Sequence, residues 1–422
     1  MKTSSCQTKR QSGAVAIIAA LSLPVLIGFA GLALDLGHLY VEKTELQNAT
    51  DACALAASRE LTCDPSAGPC AASFLINAEN SGLAVATRNK VDFQGTFIGD
   101  SQISASDIKF STTFAPDSGY VSLANGANPA SKYVMCTGHQ TGIIPWFMQV
   151  LGAGTQSVSA QAVATLASAQ TNCGIPLGMC TNGPATGTPP FGLIKGNWYN
   201  GKFSSGGGLT GSFNWIDFTP PAGGESELSA LLTGSGVCNM SVPNPVGEAG
   251  VLGNAAAKAW NSRFGLYQGG PIDINTAPPD FTGYSYTPIN WPASSNALGD
   301  FMSKRGTHDS YGVDVAAGNT LTGLSISNAY NPTTTPGQHA TKGADRRLVV
   351  TPLVNCGDWA SSNTVPIRGW ACVLMLNPIA SPGDTVYMEY EGLSSDINSP
   401  CATSGSVGGP GSVGPLVSSL VQ

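Results

Sequence analysis

Gly13 to Leu34 reads GAVAIIAALSLPVLIGFAGLAL, a run without a single ionisable side chain. At a rise of about 1.5 Å per residue it makes a helix about 33 Å long, enough to cross a hydrocarbon core about 30 Å thick. The run predicts a membrane anchor carried by Gly13, Pro24, Gly31 and Leu34. Pro24 is no obstacle, because spanning helices tolerate a proline whose freed carbonyl finds another partner. Lys2, Lys9 and Arg10 precede the run, whereas Asp35 and Glu42 follow it. This bias places residues 1–12 in the cytoplasm and the bulk of the chain outside it. The competing reading is a cleaved secretory signal, since Gly28 and Ala30 form a small-x-small site before Gly31. Against it, the apolar run continues to Leu34 and exceeds the roughly 7 to 15 residues of a signal's hydrophobic region.

Composition agrees with an extracytoplasmic bulk. Only 11% of residues are charged, while Gly (52) and Pro (28) are abundant, which describes a turn-rich secreted β protein better than a cytosolic enzyme. A formal net charge of -7 offers no basic surface for a phosphate backbone, so nucleic acid is not an expected partner. Of the 11 cysteines, Cys6 falls on the cytoplasmic side and leaves an even set beyond the anchor, as disulfide pairing requires. Cys63 with Cys70 and Cys173 with Cys180 each enclose Pro and Gly like stapled loops, and Cys356 with Cys372 would close a hairpin. Spacing does not fix connectivity. No metal or cofactor is expected, because there is no C-x-x-C and the histidines (His38, His139, His308, His339) are scattered without ligand spacing.

Past Leu34, the segment DLGHLYVEKTELQNATDACALAASREL puts Leu39, Leu46 and Cys53 at heptad spacing, with Ala49 beside them. This predicts that the anchor continues outward as one amphipathic helix to about Leu61. Its apolar face, Leu39, Leu46, Ala49 and Cys53, either packs on its own domain or docks a partner helix; periodicity does not separate the two. The elements Gly13, Pro24, Gly31, Asp35, Gly37, Tyr40, Leu46, Gln47, Ala49, Asp51 and Ala52 make residues 10–62 resemble the N-terminal segment of the TadE/TadG-like family of Flp (Tad) pilus-assembly proteins. The resemblance implies an inner-membrane component of the machine that builds a thin adhesive pilus in Gram-negative bacteria. It implies other Tad pilus-assembly proteins as partners, with the pilus fibre or its outer-membrane channel as further contacts. Prepilin-like relatives carry a Glu-Phe pair shortly after the cleavage site, whereas Gly13 is followed by Ala14-Val15-Ala16-Ile17-Ile18. The absence resembles the TadG branch, which implies a retained anchor and puts incorporation as a pilin in doubt.

The fold class expected is α+β. The anchor and long helix lead into a small α+β domain ending near residue 170, with a helix over Ala71 to Arg88 and strands over Lys90 to Ile98, Ile108 to Phe114, Lys132 to Thr137 and Ser157 to Ala164. Residues 171–403 read as a β-rich domain with strands at Gly196 to Tyr199, Ser212 to Phe218, Arg347 to Val354, Trp370 to Leu376 and Thr385 to Glu391, and a helix over Ala255 to Phe264. Residues 404–422 read as a flexible tail. No catalytic motif stands out: Gly206 to Gly211 matches G-x-G-x-x-G but leads toward a strand, without a helix N-terminus to hold an anion. The von Willebrand A metal motif of longer TadG-like proteins is missing. Asp309 and Asp314, and Asp273 with Asn275, lack calcium-loop spacing, and Lys342, Arg346 and Arg347 read as a charged loop. The expected function is a non-enzymatic assembly component. The alternative is a surface or tip adhesin that uses the tryptophans of the second half (Trp198, Trp215, Trp260, Trp291, Trp359, Trp370), although such residues more often fill a core.

Overall fold

A computed structural model of the chain describes residues 12–63, 69–115, 118–181, 191–203, 209–220, 224–238, 245–248, 254–311, 322–326, 330, 334–360, 362–380, 385–408 and 412–422. Cys6, the basic residues before the anchor, Asp314 and residues 204–208 lie outside them. The chain divides into two compact units, residues 1–166 with 418–422, and residues 167–417.

The first unit is organised by one helix, α1 (Ser12–Ser58), which passes through Pro24 without ending. Its first half is long and apolar enough to cross a membrane, and the large side chains from Ile17 to Leu36 are exposed. Its second half is a core element: Leu46, Ala49, Cys53, Ala54 and Ala57 are fully buried against α2 (Ser73–Ala86) and an antiparallel sheet. The partner-helix face expected at Leu46, Ala49 and Cys53 is therefore consumed inside the unit, and Leu39 is half-buried. The physical reason is that this stripe is the largest apolar surface available to cover the sheet.

A short hairpin, β1 (Lys90–Val91) and β2 (Thr96–Phe97), precedes the sheet strands β3 (Ile108–Ser111), β4 (Val121–Ser122), β5 (Tyr133–Ile143) and β6 (Gln156–Thr171). The order is β6-β5-β3-β4, with Cys136 opposite both Ala162 and Ile108. Helix and sheet meet closely because Gly138 has no side chain; a Cβ there would come within 2.8 Å of Leu46 Cδ1 and 2.9 Å of Thr50 Cγ2. Beside this contact Cys53 and Cys136 form a disulfide, Cα atoms 6.2 Å apart. Cys63 and Cys70 form another between α1 and α2. Within this unit the Val421 amide donates to Val163 O, and the Val163 amide to Gln422 O.

The second unit holds the strands β7 (Leu177–Cys180), β8 (Trp198–Phe203), β9 (Leu209–Gly211), β10 (Phe213–Asp217), β11 (Val246–Glu248), β12 (Leu348–Val354), β13 (Thr364–Val365), β14 (Gly369–Met375), β15 (Thr385–Leu393) and β16 (Ala402–Val407). Nine of them make a mixed sheet in the order β13-β11-β10-β7-β12-β14-β15-β8-β9. Apolar but for Thr351, β12 is buried along its whole length, as a central strand covered on both faces requires. The helices α3 (Glu225–Thr233), α4 (Ala255–Ser262), α5 (Leu298–Thr307) and α6 (Pro336–Lys342) accompany the sheet, and Trp260 of α4 packs edge-on against Trp215 of β10 at 5.8 Å.

Three expectations are corrected here. Cys173 pairs with Cys238, Cys180 with Cys356 and Cys372 with Cys401, so neither a Cys173–Cys180 loop nor a Cys356–Cys372 hairpin exists. Cys180 is the last residue of β7 and Cys356 lies just beyond β12, the strand adjacent and parallel to it, which brings the two within 5.2 Å Cα to Cα across 176 residues. Arg346 and Arg347 are not a surface loop but are 4% and 0% exposed. The tail is not free of structure: Ala402 and Val407 of β16 register with Thr171 and Ala169, and a last strand, β17 (Leu416–Leu420), also pairs with β6.

Candidate functional site

The distinctive polar chemistry of the first unit lies where the exposed half of α1 gives way to its buried half. Asp35, His38, Glu42 and Glu45 recur at helical spacing along one face. All four are buried, at 2%, 8%, 1% and 9% exposure. Long polar side chains in such a place need partners; Asp35, Glu42 and Glu45 take theirs from distant loops, whereas His38 pairs with Glu42 of its own helix and leaves its Nδ1 without a hydrogen bond.

Asp35 receives the backbone N–H groups of Trp146 (2.7 Å), Phe147 (3.1 and 3.2 Å) and Met148 (2.7 Å). These amides open the short 3-10 turn Met148–Leu151, so a carboxylate sits where unpaired donors point. Burial pushes the Asp35 carboxyl upward, but the amides of Met148, Trp146 and Phe147 and the neighbouring His38 outweigh it and leave the group below the usual carboxylate range. His38, Trp146 and Phe93 form a mutually stacked trio, with ring centroids 4.6 Å apart for His38 and Trp146, 5.2 Å for His38 and Phe93 and 5.9 Å for Phe93 and Trp146.

Glu45 accepts the Phe93 amide (3.1 Å), the Gln94 amide (3.1 Å) and the Gln94 side-chain N–H (2.9 Å). Glu42 accepts the Asp92 amide at 3.4 Å. Asp92, Phe93 and Gln94 have φ of 58°, 53° and 62°, three successive non-glycine residues in the left-handed region. That conformation costs of order 1 kcal/mol or more per residue and persists only where surroundings impose it. Here the two glutamates impose it. Lys90 to Ile98 is consequently a hairpin with a four-residue turn rather than the single strand its alternation suggests.

His38 Nε2 lies 3.4 Å from Glu42 Oε1, an i,i+4 pair on α1. His38, Glu42 and Asp92 each bring one ligand atom within 4.8 Å of the others, the grouping among the described residues that could hold a metal ion. The expectation of no metal site weighed the histidines against each other and missed this grouping, which only the fold assembles. Glu42 stands above the usual carboxylate range because burial, aided by the charges of Asp92 and Glu45, outweighs the Asp92 amide and His38.

The apolar floor of the seam is the exposed first half of α1. A Cβ at Gly31 would lie 2.7 Å from Phe147 Cβ, and Pro24 lines a groove of 360 Å³ together with Leu23, Ile27, Leu32, Phe147 and Val150. Gly31 thus has a packing role, Leu34 faces outward, and of Gly13 only the helical backbone is described.

In the second unit the charged groups are structural. Asp280, fully buried, accepts Arg305 through both oxygens (3.1 and 3.2 Å) and the amides of Arg346 (2.9 Å) and Arg347 (3.0 Å). His339 is a satisfied core residue between Asp280 O and Thr334 Oγ1. Asp273 closes its own turn by accepting from Asn275 and Thr276. Glu389 accepts Trp198 Nε1 and the amides of Ala297 and Leu298 that open α5. Glu391 is the extra residue of a bulge in β15, between Tyr390 opposite Val373 and Gly392 opposite Cys372. Its carboxyl is pushed up to about 9, first by burial and then by Glu389, with Lys195 opposing. Trp215 and Trp260 are core residues, and Trp198, Trp291, Trp359 and Trp370 are half-buried.

The model of the family described as "Putative Flp pilus-assembly TadE/G-like" matches residues 13–60. This stretch is a TadE/G-like segment. It coincides with α1, so it contains the apolar first half of that helix, Asp35, His38, Glu42, Glu45 and the buried stripe, while the loops that Asp35, Glu42 and Glu45 hold lie outside the match. No curated protein and no solved structure matches the chain. The TadE/G-like segment is thus the recognisable part, and the surrounding unit is built onto its polar and apolar faces.

Proposed function

We propose that the protein is a non-enzymatic, membrane-anchored component of Flp pilus assembly, held in the inner membrane with its bulk on the periplasmic side and acting through protein contacts there. The carrying observation is the TadE/G-like match over residues 13–60, which falls on a helix whose first half is exposed and apolar and whose second half is the core of a folded unit. Retention of the anchor is supported by Leu23, Pro24, Ile27 and Gly28, which line the groove beside Phe147 and which cleavage after Ala30 would remove. Five disulfides among the described residues suit an oxidising compartment. With the stripe through Leu46 and Cys53 buried, the contacts belong to the outer surfaces of the two units.

The experiment is to delete the gene, score surface fibres, and probe sheared fibres and cell fractions of a complemented strain for the tagged protein and its mass. Loss of fibres with full-length protein in the inner membrane is the expected result. Normal piliation would overturn the reading, tagged protein in the fibres would make it a pilus subunit, and a shortened soluble form would make Gly13 to Leu34 a signal peptide.

A further inference from the structure

We infer that residues 144–151, in the connection from β5 to β6, insert into the bilayer that α1 crosses, Trp146 at its interfacial layer and Phe147 and Val150 deeper, so that the first unit is seated on lipid. The inference rests on the reading of Gly13 to Leu34 as a membrane anchor. Ile144, Trp146, Phe147 and Val150 are 59%, 50%, 44% and 84% exposed, an apolar cluster on one short connection. No Asp, Glu, Lys or Arg occurs between Lys132 and Lys195, so nothing in the connection resists leaving water. A loop facing water normally carries such groups, and an exposed apolar patch marks a surface meant for another phase or partner.

What covers the patch follows from its position along α1. Trp146 stacks on His38, just beyond the apolar run. Phe147 touches Gly31, inside the run. Phe147, Met148 and Val150 form one wall of the groove whose other wall is Leu23, Pro24, Ile27 and Gly28. A helix rises about 1.5 Å per residue, so these contacts fall over roughly the last 15 Å of the span. If Leu23 to Leu32 lie in hydrocarbon, Phe147 and Val150 beside them do too, and Trp146 comes to the level where an indole is favoured. Irregular backbone at that depth requires internal partners for its polar groups. Asp35 supplies them to three consecutive amides, and the Gly152 and Ala153 amides return to Gln149 O and Met148 O. The partner is therefore the lipid itself, continuous with the exposed face of the anchor.

The test uses full-length protein reconstituted in phosphatidylethanolamine/phosphatidylglycerol vesicles containing lipids brominated near the headgroup or deep in the chain. The Trp146 emission is obtained as the difference between wild type and Trp146→Phe. A second protein carries Val150→Trp in the Trp146→Phe background, so that both positions are read even if one substitution loosens the stack on His38. Quenching of Trp146 by the shallow label, and of the tryptophan at position 150 by a deeper one, is the expected order. Indifference of both to brominated lipid, in protein that floats with the vesicles, would overturn the inference while leaving the anchor intact, and would mean that water or another protein covers the loop. Protein that does not float would overturn the anchor reading itself and the inference with it.

Discussion

The Asp35 carboxylate accepts the Met148 N–H at 2.7 Å across 113 residues of sequence. This bond joins the end of the apolar run to the loop beside it, and it makes the junction sensitive to acid. The folded carboxyl lies below its ordinary value, so its contribution is fully present above the unfolded value near pH 3.9 and is lost as pH falls through the folded value. The Met148 and Trp146 amide resonances should hold their positions from neutral pH to about pH 4 and move only below it. Movement centred well above pH 5 would contradict this assignment.

Gly138→Val should weaken the first unit by about 1–3 kcal/mol, because the new side chain must displace Leu46 and Thr50 on α1. Gly154→Val is the control, since its Cβ would meet nothing within 4 Å. Urea unfolding of the two variants, with the disulfides kept oxidised, measures the difference. Equal midpoints would mean that α1 does not press on β5 as described.

Asp280→Asn should cost the second unit about 3–5 kcal/mol, the range for removing one partner of a buried charge pair. The asparagine would leave Arg305 without its bidentate acceptor and turn an N–H group toward the donors that Asp280 now receives. Calorimetry of the purified variant reads the effect on the second unit's transition. A shift of only a degree or two would make this network dispensable.

Glu391→Gln should stabilise the protein above neutral pH and lose that advantage toward pH 5. The folded carboxyl titrates at about 9, well above its unfolded value, so the folded state holds a proton that the unfolded state has released across that interval. Stability of the wild type then falls as pH rises through it, whereas a glutamine carries no such penalty. Denaturation at pH 5 and pH 8 compares the pair, and an identical difference at both would remove the argument.

The sequence discloses what local pattern controls. The apolar run, the spacing of Leu46 and Cys53, the alternation of β5 and β6 and the apolar content of β12 and β14 mark the exposed first half of α1, its buried second half and most of the central strands. The site was far less legible, because its partners are long-range. Asp92, Phe93 and Gln94 are ordinary strand residues until Glu42 and Glu45, nearly 50 positions earlier, fix them in a left-handed turn. Adjacent arginines at 346 and 347 read as surface until carbonyls of Leu232, Thr233, Thr282, Tyr284, Met375 and Leu376 enclose them. Of the expected cysteine pairs, Cys63–Cys70 is present, while those of Cys180 and Cys356 failed for the same reason, since the two meet only after β7 and β12 have aligned. A sharper signal was available in Asp35, His38, Glu42 and Glu45: acidic residues and a histidine on the face that becomes the core stripe announce buried partners.

Because residues 418–422 return to the first unit, the second is topologically an insertion, entered after Leu166 and left before Ser418. A load drawn on it therefore reaches the anchored unit through two chain crossings in parallel. Trimming the chain back from its C-terminus would strip residues 418–422 from the first unit before it shortened the second. Joining residue 166 to residue 418 instead would excise the second unit and keep residues 418–422 with the first, which is the cut to use when asking what the first unit does alone.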